Sequence, residues 1–393
     1  MTKKNLIRLA VFLTCGYLVL GWGLPEAAQK WALALPRLSP ILSFFGAIAS
    51  RRAAGWLILL GIPLLVLAAF KNRWFCWHLC PMGFAAEMVS RLNPQKGWIR
   101  SVPVLNQMLA GALLLSAVIG YPIFIWLDPL CIFNGFFAAW REPLVWLNVG
   151  TAIAFGTILL LSLIVPNIWC HRLCPLGGLQ ALVHQLFHPA KRGAAAGEGR
   201  FPALNRRLFL GAAAGGVAAV GGRQLTGKKS ADAIRPPGAV TANFNGVCAR
   251  CGNCMRACPY ELIQPDLGLT GIDGFFTPVV RYRHLAPQQE QYCFQDCKAC
   301  TEVCPTGALR PITVEQKHEI PMGRAVVYRD KCVAWAKKEY CVVCQEYCPY
   351  QAVIEKPQDG VMVPVIDADK CRGCGACESA CPADPIAIIV RPV

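Results

Sequence analysis

The chain has 393 residues, enough for two or three domains, and 55% of them are hydrophobic against 16% charged. With a mean hydropathy of +0.40, this composition argues against an ordinary soluble enzyme and for a membrane protein. The net charge of +16 is unevenly spread: residues 1–225 carry 20 basic against 5 acidic residues, and residues 226–393 carry 19 against 18. The excess reads as an orientation signal and as contact with anionic membrane lipid. No basic stripe with interleaved aromatics points to nucleic acid.

Lys3, Lys4 and Arg8 lead into an apolar run from about Leu6 to Leu24 with no small-residue cleavage site, which predicts a retained helix with its amino terminus inside. Pro36, Pro40 and Phe44-Phe45 suggest an interfacial segment, and a second span covers about Ala53 to Phe70. It leads into Cys76-Trp77-His78-Leu79-Cys80-Pro81. A third span, about Leu105 to Leu127, and a fourth, about Leu144 to Val165, lead into Cys170-His171-Arg172-Leu173-Cys174-Pro175. A hydrophobic hairpin followed by Cys-x3-Cys-Pro is therefore repeated, with both motifs on the cytoplasmic side. Arg206-Arg207, followed by the Gly- and Ala-rich run Gly211 to Gly222, matches the twin-arginine address for exporting proteins already folded around a cofactor. That run is the fifth and least hydrophobic span.

The remainder of the chain is organised by cysteine. Of 22 cysteines, sixteen fall between Cys248 and Cys381 in four groups of four. Cys248, Cys251, Cys254 and Cys258, and again Cys371, Cys374, Cys377 and Cys381, match the C-x2-C-x2-C-x3-C-P run of bacterial ferredoxins. Cys293, Cys297, Cys300 and Cys304 have a first gap one residue longer, and Cys332 stands well ahead of Cys341, Cys344 and Cys348. All four groups end in Cys-x2-Cys-x3-Cys-Pro. Three close thiolates can each reach one iron of a cubane, and the fourth points away to ligate a neighbouring cluster. Disulfides do not explain a proline after every fourth cysteine, and zinc sites use separated Cys-x2-Cys hooks. Four [4Fe-4S] clusters are therefore expected. Adjacent pairing would join Cys248, Cys251 and Cys254 with Cys304, and Cys371, Cys374 and Cys377 with Cys348; a nested pairing is equally allowed by spacing. Each oxidised cluster with its thiolates carries about −2, so the second half becomes acidic and suited to a basic redox partner. Between the motifs lie short β-like runs at Val279-Val280, Ala325 to Tyr328 and Ile386 to Val390.

The architecture this predicts is an α-helical membrane domain followed by an α+β polyferredoxin domain with little regular structure. Residues 1–190 form a four-helix membrane domain, 191–225 a linker and twin-arginine-led anchor, and 226–393 the four-cluster ferredoxin domain. The expected location is the bacterial inner membrane, with the amino terminus cytoplasmic and the ferredoxin domain periplasmic. In an alternative topology the ferredoxin domain is cytoplasmic and Arg206-Arg207 are ordinary positive-inside residues. The thiols of Cys76, Cys80, Cys170 and Cys174, at i and i+4, have three open readings: a fifth cluster at the membrane, redox-active disulfides, or reduced structural thiols. His78 and His171, inside these motifs, are either satisfied membrane-edge residues or acceptors of quinol protons. His184 and His188, at i and i+4, have a spacing that could ligate haem but read better as amphipathic surface packing, and Cys15 and Cys131 read as structural. No haem-attachment, phosphate-loop or nucleophile-elbow motif occurs, so the only organic substrate expected is quinone.

At these residues the chain resembles two iron–sulfur families joined end to end. Residues 1–190, with Cys76/Cys80 and Cys170/Cys174, look like NapH- and MauN-type membrane proteins; residues 200–393, with Arg206-Arg207 and four cluster motifs, look like NapG/MauM-type ferredoxins. The resemblance implies an electron-transfer component of a quinol dehydrogenase, moving electrons between the quinone pool and a periplasmic redox enzyme or cytochrome, in a direction the sequence leaves open. One feature departs from the NapH pattern: no ferredoxin motifs lie between Pro175 and Arg206. An assembly or redox-regulatory membrane protein is the alternative from another functional class.

Overall fold

The computed structural model describes residues 3–21, 33–51, 59–93, 104–138, 140, 149–188, 203–226, 233–240, 243–282 and 291–393. The chain divides into two compact units: residues 1–227, 243–252 and 305–308, and residues 228–242, 253–304 and 309–393.

The first unit is helical. Its principal elements are α1 (Lys3–Leu20), α2 (Ile62–Phe70), α3 (Trp74–His78), α4 (Pro81–Ser90), α5 (Asn106–Ile119), α6 (Pro129–Ala138), α7 (Val149–Ile164), α8 (Pro175–Phe187) and α9 (Ala203–Thr226). The expected four membrane spans and the fifth, twin-arginine-led one are corrected here: among the described residues no helix is long and apolar enough to cross a membrane. The apolar runs break up. At 9, 14 and 16 residues, α2, α5 and α7 fall short of the ~20 residues that reach across a hydrocarbon core. The 18-residue α1 carries Lys3, Lys4 and Arg8, and the 24-residue α9 is too rich in glycine and alanine. The inner-membrane location, with its cytoplasmic amino terminus and periplasmic ferredoxin domain, loses its support with the spans. Residues 52–58 and 141–148, parts of the second and fourth expected spans, lie outside the described residues, as do the side chains of Arg206 and Arg207.

Small residues hold this unit together. A Cβ on Gly211 would meet the Met108 carbonyl oxygen at 2.1 Å, and one on Gly215 the Ala112 backbone at 2.4 Å, so α9 lies backbone-to-backbone on α5. The segment read as interfacial is instead core: Ile41, Leu42 and Phe45 are buried. Arg8 of α1, itself buried, pairs with Glu87 of α4, which also accepts from Arg91 at 2.8 Å. Both arginines hold the Glu87 carboxyl below its usual range against the effect of burial.

Asp128 precedes α6 and caps it, accepting from the Leu130 and Cys131 amides at 2.9 and 3.2 Å and from the Ser39 hydroxyl. Burial outweighs those bonds and pushes its carboxyl up to about 6. Because the folded state favours the protonated form, stability is greatest below the unfolded carboxylate range and is lost as pH rises through about 6. A shift of this size corresponds to roughly 3 kcal/mol. Asp128→Asn keeps the capping oxygen without the charge. It should raise the thermal midpoint at pH 8, by an amount that shrinks toward pH 5; a gain that does not vary with pH would contradict this.

Among its described residues the second unit has little sheet: three antiparallel pairs, β1 (Ile263–Pro265) with β2 (Pro278–Val280), β3 (Arg324–Val327) with β6 (Ile388–Arg391), and β4 (Val353–Gln358) with β5 (Val361–Ile366). Asp359-Gly360, at φ 50° and 82°, closes the β4–β5 hairpin, a dipeptide suited to the twist of a two-residue turn. Ala325, Ala352, Val353, Val363 and Ile388 form a small core that is completed by buried cysteines.

Candidate metal centres

Proline decides the geometry of the first site. Pro81 and Pro175 occupy the first position of α4 and α8, where a missing N–H costs nothing, so the preceding Cys80 and Cys174 are extended N-cap residues. Cys76 lies in the short α3, and Cys170 in the turn Trp169–Leu173. Each Cys-x3-Cys therefore spans a break between two elements rather than one helix face. The pseudo-repeat then brings the two pairs together. Cys80 senses the charges of Cys76 and Cys170, and Cys174 those of Cys76, Cys170 and Cys80. Burial pushes Cys80 and Cys174 well above the ordinary thiol range, Cys76 to about 11 and Cys170 to about 12, while Arg73 and Arg8 pull the latter two back. Bare thiolates are disfavoured here. A quartet able to share a positively charged iron core is not. Gly83 N donates to the Cys80 sulfur at 3.3 Å and Gln180 Nε2 to the Cys76 sulfur at 3.4 Å, contacts that orient the two thiols.

An open cavity with about 1090 Å³ of room for water reaches this quartet, with Cys76 and Cys170 in its wall beside Arg8, Arg73, Arg172 and His171. The two motif histidines part company. The His171 ring lines the cavity, edge-on to Trp77, and burial followed by Arg73 and Arg172 lowers its pKa. His78 stacks on Trp74 and bonds that residue's carbonyl at 3.0 Å. His184 bonds Ala69 O at 3.2 Å and packs against His188.

In the second unit, two cavities show how the motifs combine. One, of about 370 Å³ of empty space, is walled by Cys332, Cys341, Cys344 and Cys381; the other, of about 320 Å³, by Cys371, Cys374, Cys377 and Cys348. In each, three thiols come from one motif and the fourth from the other. A third set repeats the rule: Cys300 senses Cys293, Cys258 and Cys297, so the last cysteine of the first motif crosses to the second. These three sets follow the adjacent pairing that spacing alone left open. Among the described residues no His, Cys, Asp or Glu group converges tightly enough for a single metal ion. A cubane does not need that, since its thiolates sit at the corners of a cage.

Two neighbours of the motifs carried no signal in the sequence. Cys131, expected to be structural, is buried and hydrogen-bonded to Cys251, whose carbonyl also accepts from Asn134 Nδ2 at 3.3 Å; Cys15 stays half-buried in α1. Lys317 is buried, with its ammonium 3.3 Å from Cys293 Sγ and donating to the Phe294 and Cys297 carbonyls. No carboxylate pairs with this ammonium among the described residues; a buried ammonium calls for negative charge nearby, and an iron–sulfur cluster with its thiolates fits that demand.

Sequence-family signatures agree with this geometry. A 4Fe-4S dicluster domain matches residues 247–308, and a 4Fe-4S binding domain matches 362–383. Another 4Fe-4S binding domain matches 53–100 and 147–193, the two segments that contain the Cys-x3-Cys-Pro motifs. The chain is 35% identical to the methylamine utilization ferredoxin-type protein MauM of Methylorubrum extorquens, over 49% of this chain and 90% of that one. It is 32% identical to the ferredoxin-type protein NapG of Escherichia coli, over 49% and 87%, and 35% identical to MauM of Paracoccus denitrificans, over 45% and 82%. No solved structure matches. With nine-tenths of a MauM protein aligned at this identity, the chain belongs to the ferredoxin-type iron–sulfur electron-transfer proteins that include MauM and NapG.

Proposed function

We propose that the chain is a relay with five [4Fe-4S] centres, which accepts electrons at the first unit from a quinol-type donor and delivers them to a redox protein. A [4Fe-4S] cluster supplies storage and transfer of one electron at a time. Four centres would be held by the sixteen motif cysteines and the fifth by Cys76, Cys80, Cys170 and Cys174. The observation that carries this reading is the quartet itself: four thiols from two distant motifs share one buried site, and an open cavity leads to it. The 4Fe-4S binding domain that matches 53–100 and 147–193 supports the same reading.

A quinol-type donor gives up two electrons and two protons on oxidation. In the cavity, Trp77, Val104 and Pro166 offer an apolar wall to a ring, and the guanidiniums of Arg8, Arg73 and Arg172 face the developing negative charge. Of the two motif histidines His171 lines the cavity and His78 does not, which supports His171 as the proton acceptor. Anaerobic mixing with a water-soluble quinol analogue should bleach the visible iron–sulfur absorbance, and His171→Ala should slow that bleaching by at least about tenfold. Reduction by dithionite but not by the analogue would turn the assignment toward the regulatory alternative.

A further inference from the structure

The three cysteine sets of the second unit are not equivalent in their surroundings. The sulfurs of one set, Cys371, Cys374, Cys377 and Cys348, receive hydrogen bonds from backbone amides: Ala325 N to Cys371 at 3.4 Å and Ala352 N to Cys348 at 3.3 Å. The set of Cys258, Cys293, Cys297 and Cys300 has the ammonium of Lys317, 3.3 Å from Cys293 Sγ. That lysine is only 3% exposed. It stands on the helix Val314–Glu319, whose start is fixed by a capping box: Thr313 Oγ1 accepts from Gln316 N at 3.3 Å, and Gln316 Oε1 accepts from Thr313 N at 3.1 Å. The Phe294 and Cys297 carbonyls hold the ammonium in place, so the charge is positioned from both sides.

We propose that Lys317 is a redox-positioning residue, and that it makes the centre on Cys258, Cys293, Cys297 and Cys300 the most easily reduced of the three in this unit. The inference rests on the iron–sulfur assignment above. Reduction adds one negative charge to the cluster, and a fixed positive charge in a water-poor site favours that state more than a backbone dipole does. Hydrogen bonds to ligand sulfur act in the same direction. The bland alternative is that Lys317 merely ties the Cys293 loop to the helix. It differs in its consequence, since tying needs the donor and tuning needs the charge.

The test is an anaerobic redox titration followed by electron paramagnetic resonance, with iron counted in every sample. Cys297→Ala identifies the signal of this centre by its loss. Lys317→Met should lower the midpoint of that signal alone, cutting the reduced-to-oxidised ratio at the native midpoint by about tenfold, which is about 59 mV for one electron. Lys317→Arg, which keeps the charge, should stay close to native, while Lys317→Gln, which keeps a donor without the charge, should follow Met. An unmoved midpoint in Met and Gln overturns the proposal. So does an equal drop in Arg and Met, or loss of about four irons per chain in both neutral variants, since either assigns Lys317 a structural role. A native protein without iron would sink the iron–sulfur assignment itself.

Discussion

Replacing Cys348 by alanine is expected to destroy the centre built on Cys371, Cys374 and Cys377 and to spare the one built on Cys332, Cys341 and Cys344, its own neighbours in sequence. The two cavities of the second unit give the reason. Cys348 lines the second cavity and Cys381 the first, so each motif lends its last thiol to the other. Each proline after the fourth cysteine redirects the chain once the thiol is placed: Pro349 follows Cys348 and Pro382 follows Cys381. Loss of one of four ligands should cost about four irons per chain. Cys348→Ala and Cys377→Ala should remove the same paramagnetic signal, and Cys381→Ala and Cys344→Ala the other. If Cys348→Ala instead removes the signal lost in Cys344→Ala, each motif serves its own cluster and the crossed arrangement is wrong.

The second large effect concerns the first unit. Cys174→Ala should remove about four irons, abolish reduction by the quinol analogue and leave the other four centres reducible by dithionite. The quartet is walled by elements from both halves of the repeat, α3 and α4 on one side and the Trp169–Leu173 turn with α8 on the other, so no single motif completes it. Cys80→Ala should therefore copy Cys174→Ala, and the double variant should be no worse than either. If Cys174→Ala loses no iron, the quartet is thiol chemistry without a cluster.

The spacing of the cysteine motifs was legible in the sequence because it is a local property, with three thiols on one loop and a proline after the fourth, and 4Fe-4S domains match residues 247–308 and 362–383. Pairing between motifs was not, since Cys348 and Cys381 are set by folding rather than spacing. The strand runs at Val279, Ala325 and Ile388 were visible as β-branched stretches, yet β3 pairs with β6 from far along the chain rather than with a local hairpin. The longest hairpin among the described residues, β4–β5, was missed although Asp359-Gly360 marks its turn. The membrane spans were over-read. The hydrophobic run Ala53 to Phe70 looks continuous by composition, but among its described residues only Ile62–Phe70 is α-helical. Lys317 and Cys131 lay beyond any motif, because their significance comes from what folds against them.

The central claim is that five four-thiol sites hold five iron–sulfur cubanes. Iron and acid-labile sulfide per chain, measured on the native protein purified without air, test it most directly. The account predicts about twenty of each. About sixteen would remove the first-unit centre and the entry point built on it, and protein with no labile sulfide would contradict the account outright.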